Sequence, residues 1–420
     1  MAVTKKKYIA YRKMKALLNR IVFYIMRIFP VDNNLVSVCT FEGKGGFGCN
    51  PKYVVQELHK RHPQYKFIWM LNDEAREKKF PDYIKKVNNS MLLTRAYWLS
   101  RSKVWIDNYR KPYGTVKRKN QLYINVNHYN VGIKATGLLR GDKFSEIAYL
   151  VSKNDSDMID ELVIDSYWSE SCFNKALIYY GRMLKIGSPR CDILYGQREI
   201  KKEKFKRAYN LPKNSKIAMF APTFREKSDN GLRSVYSSVW TIDFKRLISC
   251  LEQRTGNEWY ICIRVHPQLA GEFKGYQNSN IENRIIDLST NDDMYEILAA
   301  MDIYITDYSS AVFEAGYAGI PAFIYADDID KYKYTRELMW DFDTKNTKHI
   351  SNNKKLTPKL ELVFPFSVSQ NNDELEKNIT QFDLDEYLKQ ISEFKHKIGL
   401  IFDGKASSRL CEYISNAIDR

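Results

Sequence analysis

Paired cysteines, long apolar runs and clustered histidines are all missing from this 420-residue chain. The seven cysteines, at 39, 49, 172, 191, 250, 262 and 411, form no C-x-x-C pair and are odd in number. That excludes a disulfide framework as the expectation and favours a reduced setting with mostly buried thiols. None of the six histidines, at 59, 62, 128, 266, 349 and 396, pairs with a cysteine or carboxylate at zinc-ligand spacing, so no metal is expected. No run of about 18 apolar residues exists, which removes the expectation of a transmembrane helix. No small-residue cleavage site follows the apolar stretch near the N-terminus, so no secretory signal is expected. Internal repeats, a Walker A order and a G-x-S-x-G elbow are also absent.

What is present describes an ordinary globular chain with room for two or three domains: 44% hydrophobic and 28% charged residues. Tyrosine is abundant, at 29 residues. The net charge of +16 favours an anionic partner: a nucleotide, a phosphorylated polymer, a membrane face or a nucleic acid. A lysine-rich surface that only aids solubility fits the same number.

Residues 5–29 carry helical periodicity. Met14, Leu17, Leu18, Ile21, Ile25 and Ile28 share one face, Arg12, Lys13, Lys15, Arg20 and Arg27 lie around the other side, and Pro30 ends the run. A basic face opposite an Ile/Leu face suits an anionic bilayer surface, where each Lys or Arg contributes about 1 kcal/mol. An ordinary packed helix or an arm for a partner has the same pattern. Residues 1–34 are set apart on this basis as a basic amphipathic, membrane-associating arm.

The stretch 301–325, MDIYITDYSSAVFEAGYAGIPAFIY, reads as strand, turn, helix and strand, the building block of a parallel sheet. Ser309 and Ser310 sit in the turn. The helix N-terminus behind them carries a partial charge of roughly +0.5 and suits a phosphate. Simple N-capping by either serine is the plainer reading.

Residues 35–195 form the first expected domain. Strands are predicted at 35–40, 67–71, 85–87, 90–94, 104–107 and 122–126, alternating with helices. In such open parallel sheets ligands sit at the carboxyl ends of strands. His128 lies just past one such end, where an imidazole can take a proton from an attacking hydroxyl; a hydrogen-bonded structural histidine is the alternative. Residues 196–420 form the second expected domain. Its strands deliver Ala221-Pro222-Thr223-Phe224-Arg225, Arg264-Val265-His266-Pro267 and Ser309/Ser310 to one edge of one predicted sheet, which points to a single anion site. Asp403-Gly404-Lys405-Ala406-Ser407-Ser408-Arg409 opens the last helix, either as an anion site or as a plain cap.

These segments, with Asn50-Pro51-Lys52-Tyr53 and Gly187-Ser188-Pro189-Arg190-Cys191-Asp192, resemble in order the CDP-glycerol glycerophosphotransferase family, the primases and polymerases of teichoic acids and related capsule polymers. The resemblance covers most of residues 35–420. It implies an α/β fold of GT-B architecture, two Rossmann-like domains facing across a cleft, in a peripheral enzyme on the cytoplasmic membrane face. It implies a CDP-alditol donor, CDP-glycerol or CDP-ribitol, a polymeric or lipid-linked acceptor, and no cofactor or metal. By motif, His128 and His266 are the expected catalytic residues, His266 contacting the donor pyrophosphate. Arg225, Arg264, Thr306, Ser309, Ser310, Glu314, Ser407, Ser408 and Arg409 are the expected substrate-binding set. The family's Trp-His-Gly-Thr-Pro-Leu-Lys segment is replaced here by Asn127-His128-Tyr129-Asn130-Val131-Gly132-Ile133-Lys134, on the side expected to face the acceptor. A nucleotide-sugar enzyme of the same architecture and a non-catalytic binder of anionic membranes are the competing classes. No nucleic-acid partner is expected, because the anion-friendly residues converge instead of forming a diffuse basic face.

Overall fold

The computed structural model describes residues 2–229, 232–236, 240–265, 281–340, 342 and 362–418. Two compact units emerge: Met1–Asn130 with Thr136–Asp192 and Ile401–Arg420, and Val131–Ala135 with Ile193–Leu400.

In the first unit seven strands are β1 (Asp32–Cys39), β2 (Lys66–Leu71), β3 (Ile84–Asn88), β4 (Ser102–Asp107), β5 (Leu122–Asn125), β6 (Glu161–Ile164) and β7 (Arg182–Lys185). They form one parallel sheet in the order β3-β2-β1-β4-β5-β6-β7. β1, β2 and β4 are buried on both faces over most of their length, which is why they read as apolar runs and not as alternation. One face packs against Val54, Val55 and Leu58 of the helix Cys49–Arg61 and against Leu410, Cys411 and Ile414 of the helix Ala406–Ile418. The other takes Phe23 together with Ala96 and Leu99 of the helix Leu92–Arg101.

Three expectations change here. The last helix, expected in the second domain, belongs to the first unit, because its apolar stripe completes that unit's core. No strand forms at 90–94: the Asn88 side-chain oxygen accepts from Ser90 N at 2.8 Å and Met91 N at 3.3 Å, an Asx turn that ends β3. Residues 1–34 are no separate domain. The helix Ala2–Ile25 lies on the first unit through Ile9, Ala16, Asn19 and Phe23, and Asn19 Nδ2 donates to the Tyr113 carbonyl at 2.8 Å. At Gly114, φ is +89° and a Cβ would stand 2.3 Å from the Ala16 carbonyl oxygen, so only glycine allows this approach. Met14, Leu17, Leu18, Ile21, Ile25 and Ile28 point away from that contact and are exposed, Leu17 by 58%.

In the second unit β8 (Lys216–Phe220), β11 (Trp259–Ile263), β12 (Ile285–Asp287), β13 (Ile303–Thr306), β14 (Ala322–Tyr325) and β15 (Ser367–Ser369) form a parallel sheet. The hairpin of β9 (Arg225–Asp229) and β10 (Leu232–Tyr236) stands beside it as a separate pair. The order is β12-β11-β8-β13-β14-β15. Each sheet therefore starts in its middle, runs outward, and then reverses. The reversals fall between β1 and β4 and between β8 and β13, the places where such sheets open a crevice for a ligand.

Under the edge of the first sheet lies a buried polar cluster. Lys111 Nζ pairs with Asp107 at 2.6 Å, and Asp155 Oδ1 accepts from Lys111 N at 2.9 Å and from the Tyr123 hydroxyl at 3.0 Å. Burial pushes the Asp155 carboxyl up to about 7. The unfolded chain releases that proton near pH 4, so between these values the native state holds the extra proton. The stability contributed by this group is full below about pH 4 and is lost as pH rises through 7. Asp155→Asn retains both hydrogen bonds through Oδ1 and removes the titration. Its melting temperature is expected to fall less than that of the wild type between about pH 5 and 8; parallel curves by circular dichroism would rule Asp155 out as the source.

Candidate active site

The turn after β4 organises the first crevice. The Asn108 main-chain oxygen lies 2.8 Å from His128 Nδ1, and its side-chain oxygen accepts from Phe41 N at 2.8 Å. A carbonyl can only accept, so Nδ1 carries the hydrogen and the neutral imidazole presents the lone pair of Nε2. The loop bearing His128 is itself fastened. Asn127 adopts φ +54°, a conformation asparagine tolerates, and its side-chain oxygen accepts from His128 N at 2.8 Å. Asn50 Nδ2 donates to the carbonyls of Val126 and Asn127 at 2.7 and 2.9 Å. Arg190 donates to the His128 carbonyl at 2.5 Å, and its main-chain N–H donates to Asn50 Oδ1 at 2.9 Å.

Three rings surround the imidazole: Phe41 edge-on at 5.5 Å, Tyr109 at 5.3 Å and Tyr129 at 4.7 Å between centroids. Phe41 and Glu42 are consecutive left-handed residues, with φ +48° and +58°, at a cost of about 1–3 kcal/mol each. The bonds from Phe41 N to Asn108 and from Asn89 Nδ2 to the Glu42 carbonyl, 3.1 Å, hold them there. Strain kept by specific bonds beside a half-buried histidine marks a working edge of the sheet. None of Asn50, Asn108, Asn127 or Arg190 was singled out by sequence. Asn50 and Arg190 fall inside the family-like motifs, which was the available signal.

In the second unit, Asp307 and Arg225 tie the crevice strands together. Asp307 Oδ1 accepts from Thr223 N at 2.9 Å and Tyr308 N at 2.6 Å. Arg225 donates to Asp307 at 2.8 Å and grips Asp328 with Nε and an NH2 group at 2.6 and 2.8 Å. Its guanidinium lies over the stacked rings of Tyr308 and Tyr332. Burial alone would lower its pKa, but the two carboxylates more than offset that and raise it. Arg225 was expected to meet a substrate anion; only 6% exposed, it meets the protein's own. Thr306 likewise turns inward and donates to the Ala221 carbonyl at 2.6 Å. Glu314 is buried and accepts from the Tyr295 hydroxyl.

Arg264 differs. It is 8% exposed and donates to the Asn291 carbonyl at 3.0 Å, and its Nε has no hydrogen-bond partner among the described residues. Burial lowers its pKa. The Tyr304 hydroxyl, also without a partner, lies beside Thr306 and Ser309 and within the field of Arg264. Ser309 and Ser310 are half-buried at the end of β13, ahead of the helix Ala311–Tyr317. A buried cation with an orphan donor, within the field of a tyrosine hydroxyl that adjoins Ser309, has the chemistry of an anion site. His266 lies outside the described residues.

Ser407, Ser408 and Arg409 sit in the first unit, apart from the set just described. Asp192 caps the helix start, accepting from Ala406 N at 3.0 Å and Ser407 N at 2.7 Å. Ser408 accepts from Arg61 at 2.6 Å, and Arg409 pairs with Asp403. The anion at this helix start is a side chain, so the plainer reading of capping holds. Among the described residues, no three His, Cys, Asp or Glu are placed to hold a metal, and no helix is long and apolar enough to cross a membrane.

Two reversing parallel sheets with these crevices define a two-domain α/β fold of GT-B type. The wall teichoic acid polymerase TagF has this fold, with a TM-score of 0.75 and 23% identity over 99% of this chain and 98% of that one. Residues 21–416 match the CDP-Glycerol:Poly(glycerophosphate) glycerophosphotransferase family, and the chain belongs to it. The teichoic acid poly(glycerol phosphate) polymerase of Staphylococcus epidermidis is 28% identical over 316 residues, 72% of this chain and 42% of that one. The chain thus spans less than half the length of that relative. The teichoic acid glycerol-phosphate transferase of Staphylococcus aureus is 26% identical over 403 residues, 91% of this chain and 93% of that one.

Arg225→Ala leaves the buried Asp307 and the half-buried Asp328 without their cation. It is expected to destabilise the second unit by about 3–5 kcal/mol, read as an early transition in calorimetry. A stable variant with weakened donor binding alone would instead make Arg225 a substrate contact.

Proposed function

We propose that this chain moves an alditol phosphate, glycerol phosphate in the first instance, from a CDP-alditol to a hydroxyl of a teichoic-acid-like or capsule polymer or its lipid-linked primer, releasing CMP. The observation that carries this reading is the bond from His128 Nδ1–H to the Asn108 carbonyl, which fixes the tautomer with its basic lone pair on Nε2. Membership of the family supports the reading, as does the S. aureus relative, a teichoic acid glycerol-phosphate transferase.

The acceptor hydroxyl loses its proton to Nε2 as its oxygen bonds to the β-phosphorus of the donor. The bond from that phosphorus to the bridging oxygen breaks, and CMP leaves with the electron pair. Arg264, Ser309 and Ser310 hold the diphosphate and stabilise charge on its oxygens, each well-aimed donor being worth about 3–4 kcal/mol. His266 joins them by its motif. No resident cofactor enters this proposal. CDP-ribitol is the second donor to test, since nothing in these side chains selects the alditol.

The helix Ala2–Ile25 supports a place on the cytoplasmic membrane face. It is held to the protein by one stripe, and roughly half a turn away it exposes Met14, Leu17, Leu18, Ile21 and Ile25, with Ile28 exposed in the turn that follows. Lysines and arginines flank that second stripe, the arrangement of a helix lying in an anionic interface.

His128→Ala is expected to lower CMP release from CDP-glycerol about 10²–10⁴-fold and to leave donor affinity by calorimetry unchanged. Near wild-type release would remove the histidine from the base role, and release of UDP from a UDP-sugar instead would overturn the donor class. Paired Leu17→Glu and Ile21→Glu substitutions are expected to abolish co-sedimentation with phosphatidylglycerol vesicles while activity on a soluble acceptor persists. Undiminished co-sedimentation would move the membrane contact elsewhere.

A further inference from the structure

Two residues past Asn108, the same turn carries Arg110. Its guanidinium donates to the Ser152 hydroxyl at 2.8 Å and the Tyr109 hydroxyl at 3.3 Å, and it lies 5.1 Å from the Tyr109 ring centroid. No carboxylate of the described residues comes within ion-pair distance of it; Glu42 and Asp155 act on it only through their fields. A half-buried guanidinium held by neutral hydroxyls keeps its charge available, in contrast to Arg225, which is neutralised twice over. Beside it Asn108, 1% exposed, keeps Nδ2 without a hydrogen-bond partner among the described residues. Its orientation is set by the Phe41 N–H on Oδ1. Of these two donors on one turn, the cationic one meets only neutral hydroxyls and the other, Asn108 Nδ2, meets no acceptor among the described residues.

The position is specific. Tyr109 has one neighbour in His128, 5.3 Å between centroids, and another in the Arg110 guanidinium. The imidazole and the cation therefore lie against the same tyrosine ring. An alditol-phosphate chain offers the matching pair of groups: a terminal hydroxyl and, a few bonds back, a phosphodiester. Planar guanidinium groups suit such phosphates because they can donate two parallel bonds.

We propose that Arg110 is the acceptor-side phosphate residue, gripping the phosphodiester next to the hydroxyl that His128 deprotonates. This rests on the reading of an alditol-phosphate acceptor given above. It makes Arg110 a specificity-determining residue, one that distinguishes a phosphorylated acceptor from a neutral polyol and sets which hydroxyl reaches Nε2.

The test uses the full chain with a synthetic soluble glycerol-phosphate oligomer and a phosphate-free oligoglycerol of the same length. By calorimetry without donor, Arg110→Gln is expected to bind the phosphorylated oligomer about tenfold or more weakly than the wild type, and Arg110→Lys to fall between them. Binding of the neutral oligomer is expected to be alike in all three. With CDP-glycerol present, Arg110→Gln is expected to raise KM for the phosphorylated acceptor, leaving kcat, donor KM and the pH profile close to wild type. Equal losses on both oligomers, an unchanged affinity of Arg110→Gln for the phosphorylated one, or no binding of it by the wild type would each overturn the proposal. If the wild type binds the oligomer through Arg110 but releases no CMP from either CDP-alditol, the phosphate site stands and the transferase reading fails.

Discussion

A parallel sheet whose order reverses at its first strand cannot cover the carboxyl ends of its two central strands with the connections that follow them. Those connections leave in opposite directions, and the polar turns between them stay open. Both units of this chain obey that constraint: β1 and β4 diverge in one, β8 and β13 in the other. The candidate site residues are the first few after those strands, and after the neighbouring β5. Phe41, Asn108 and His128 occupy these places in the first unit, and Thr223, Asp307 and Ser309 in the second. The site residues thus inherit their positions from topology before any of their own bonds are counted.

The two crevices then use opposite means. The first is built mainly from asparagine hydrogen bonds and rings, with the Arg190 guanidinium on the His128 carbonyl. One asparagine holds a strained backbone with its side chain and a histidine tautomer with its main chain. The second is built from charge. Its two buried arginines behave differently because their surroundings differ: Arg225 is bound to Asp307 and Asp328 and serves as a strut, whereas Arg264 retains an orphan Nε and lies within the field of a tyrosine hydroxyl that adjoins Ser309. Asp293 and Asp292 act on Arg264 only through their fields, whereas Arg225 is bound to its carboxylates directly.

The first helix shows a similar division within one element. Ile9, Ala16 and Phe23 dock, and Leu17, Leu18 and Ile21 do not, though both stripes are apolar. The docked stripe is the slimmer one, and at Gly114 the absence of a side chain lets the helix come within contact of the loop beneath. The bulkier stripe is left outward between basic residues, so packing within the chain uses only one of the helix's two apolar stripes.

Local chemistry was enough to read the alternation of strand and helix, the strand that ends before His128, the turn at Ser309/Ser310 and the family that these motifs belong to, because each depends on residues a few positions apart. Tertiary structure alone decided the rest. Strand order, the return of Ala406–Ile418 to the first core and the choice of stripe on Ala2–Ile25 depend on which apolar surfaces meet, and periodicity does not encode that. The fate of Arg225 depends on carboxylates 82 and 103 residues away, and the tautomer of His128 on a carbonyl 20 residues before it. A sequence names the groups that can bond; only the folded chain says which of them are already satisfied and which are left for a ligand.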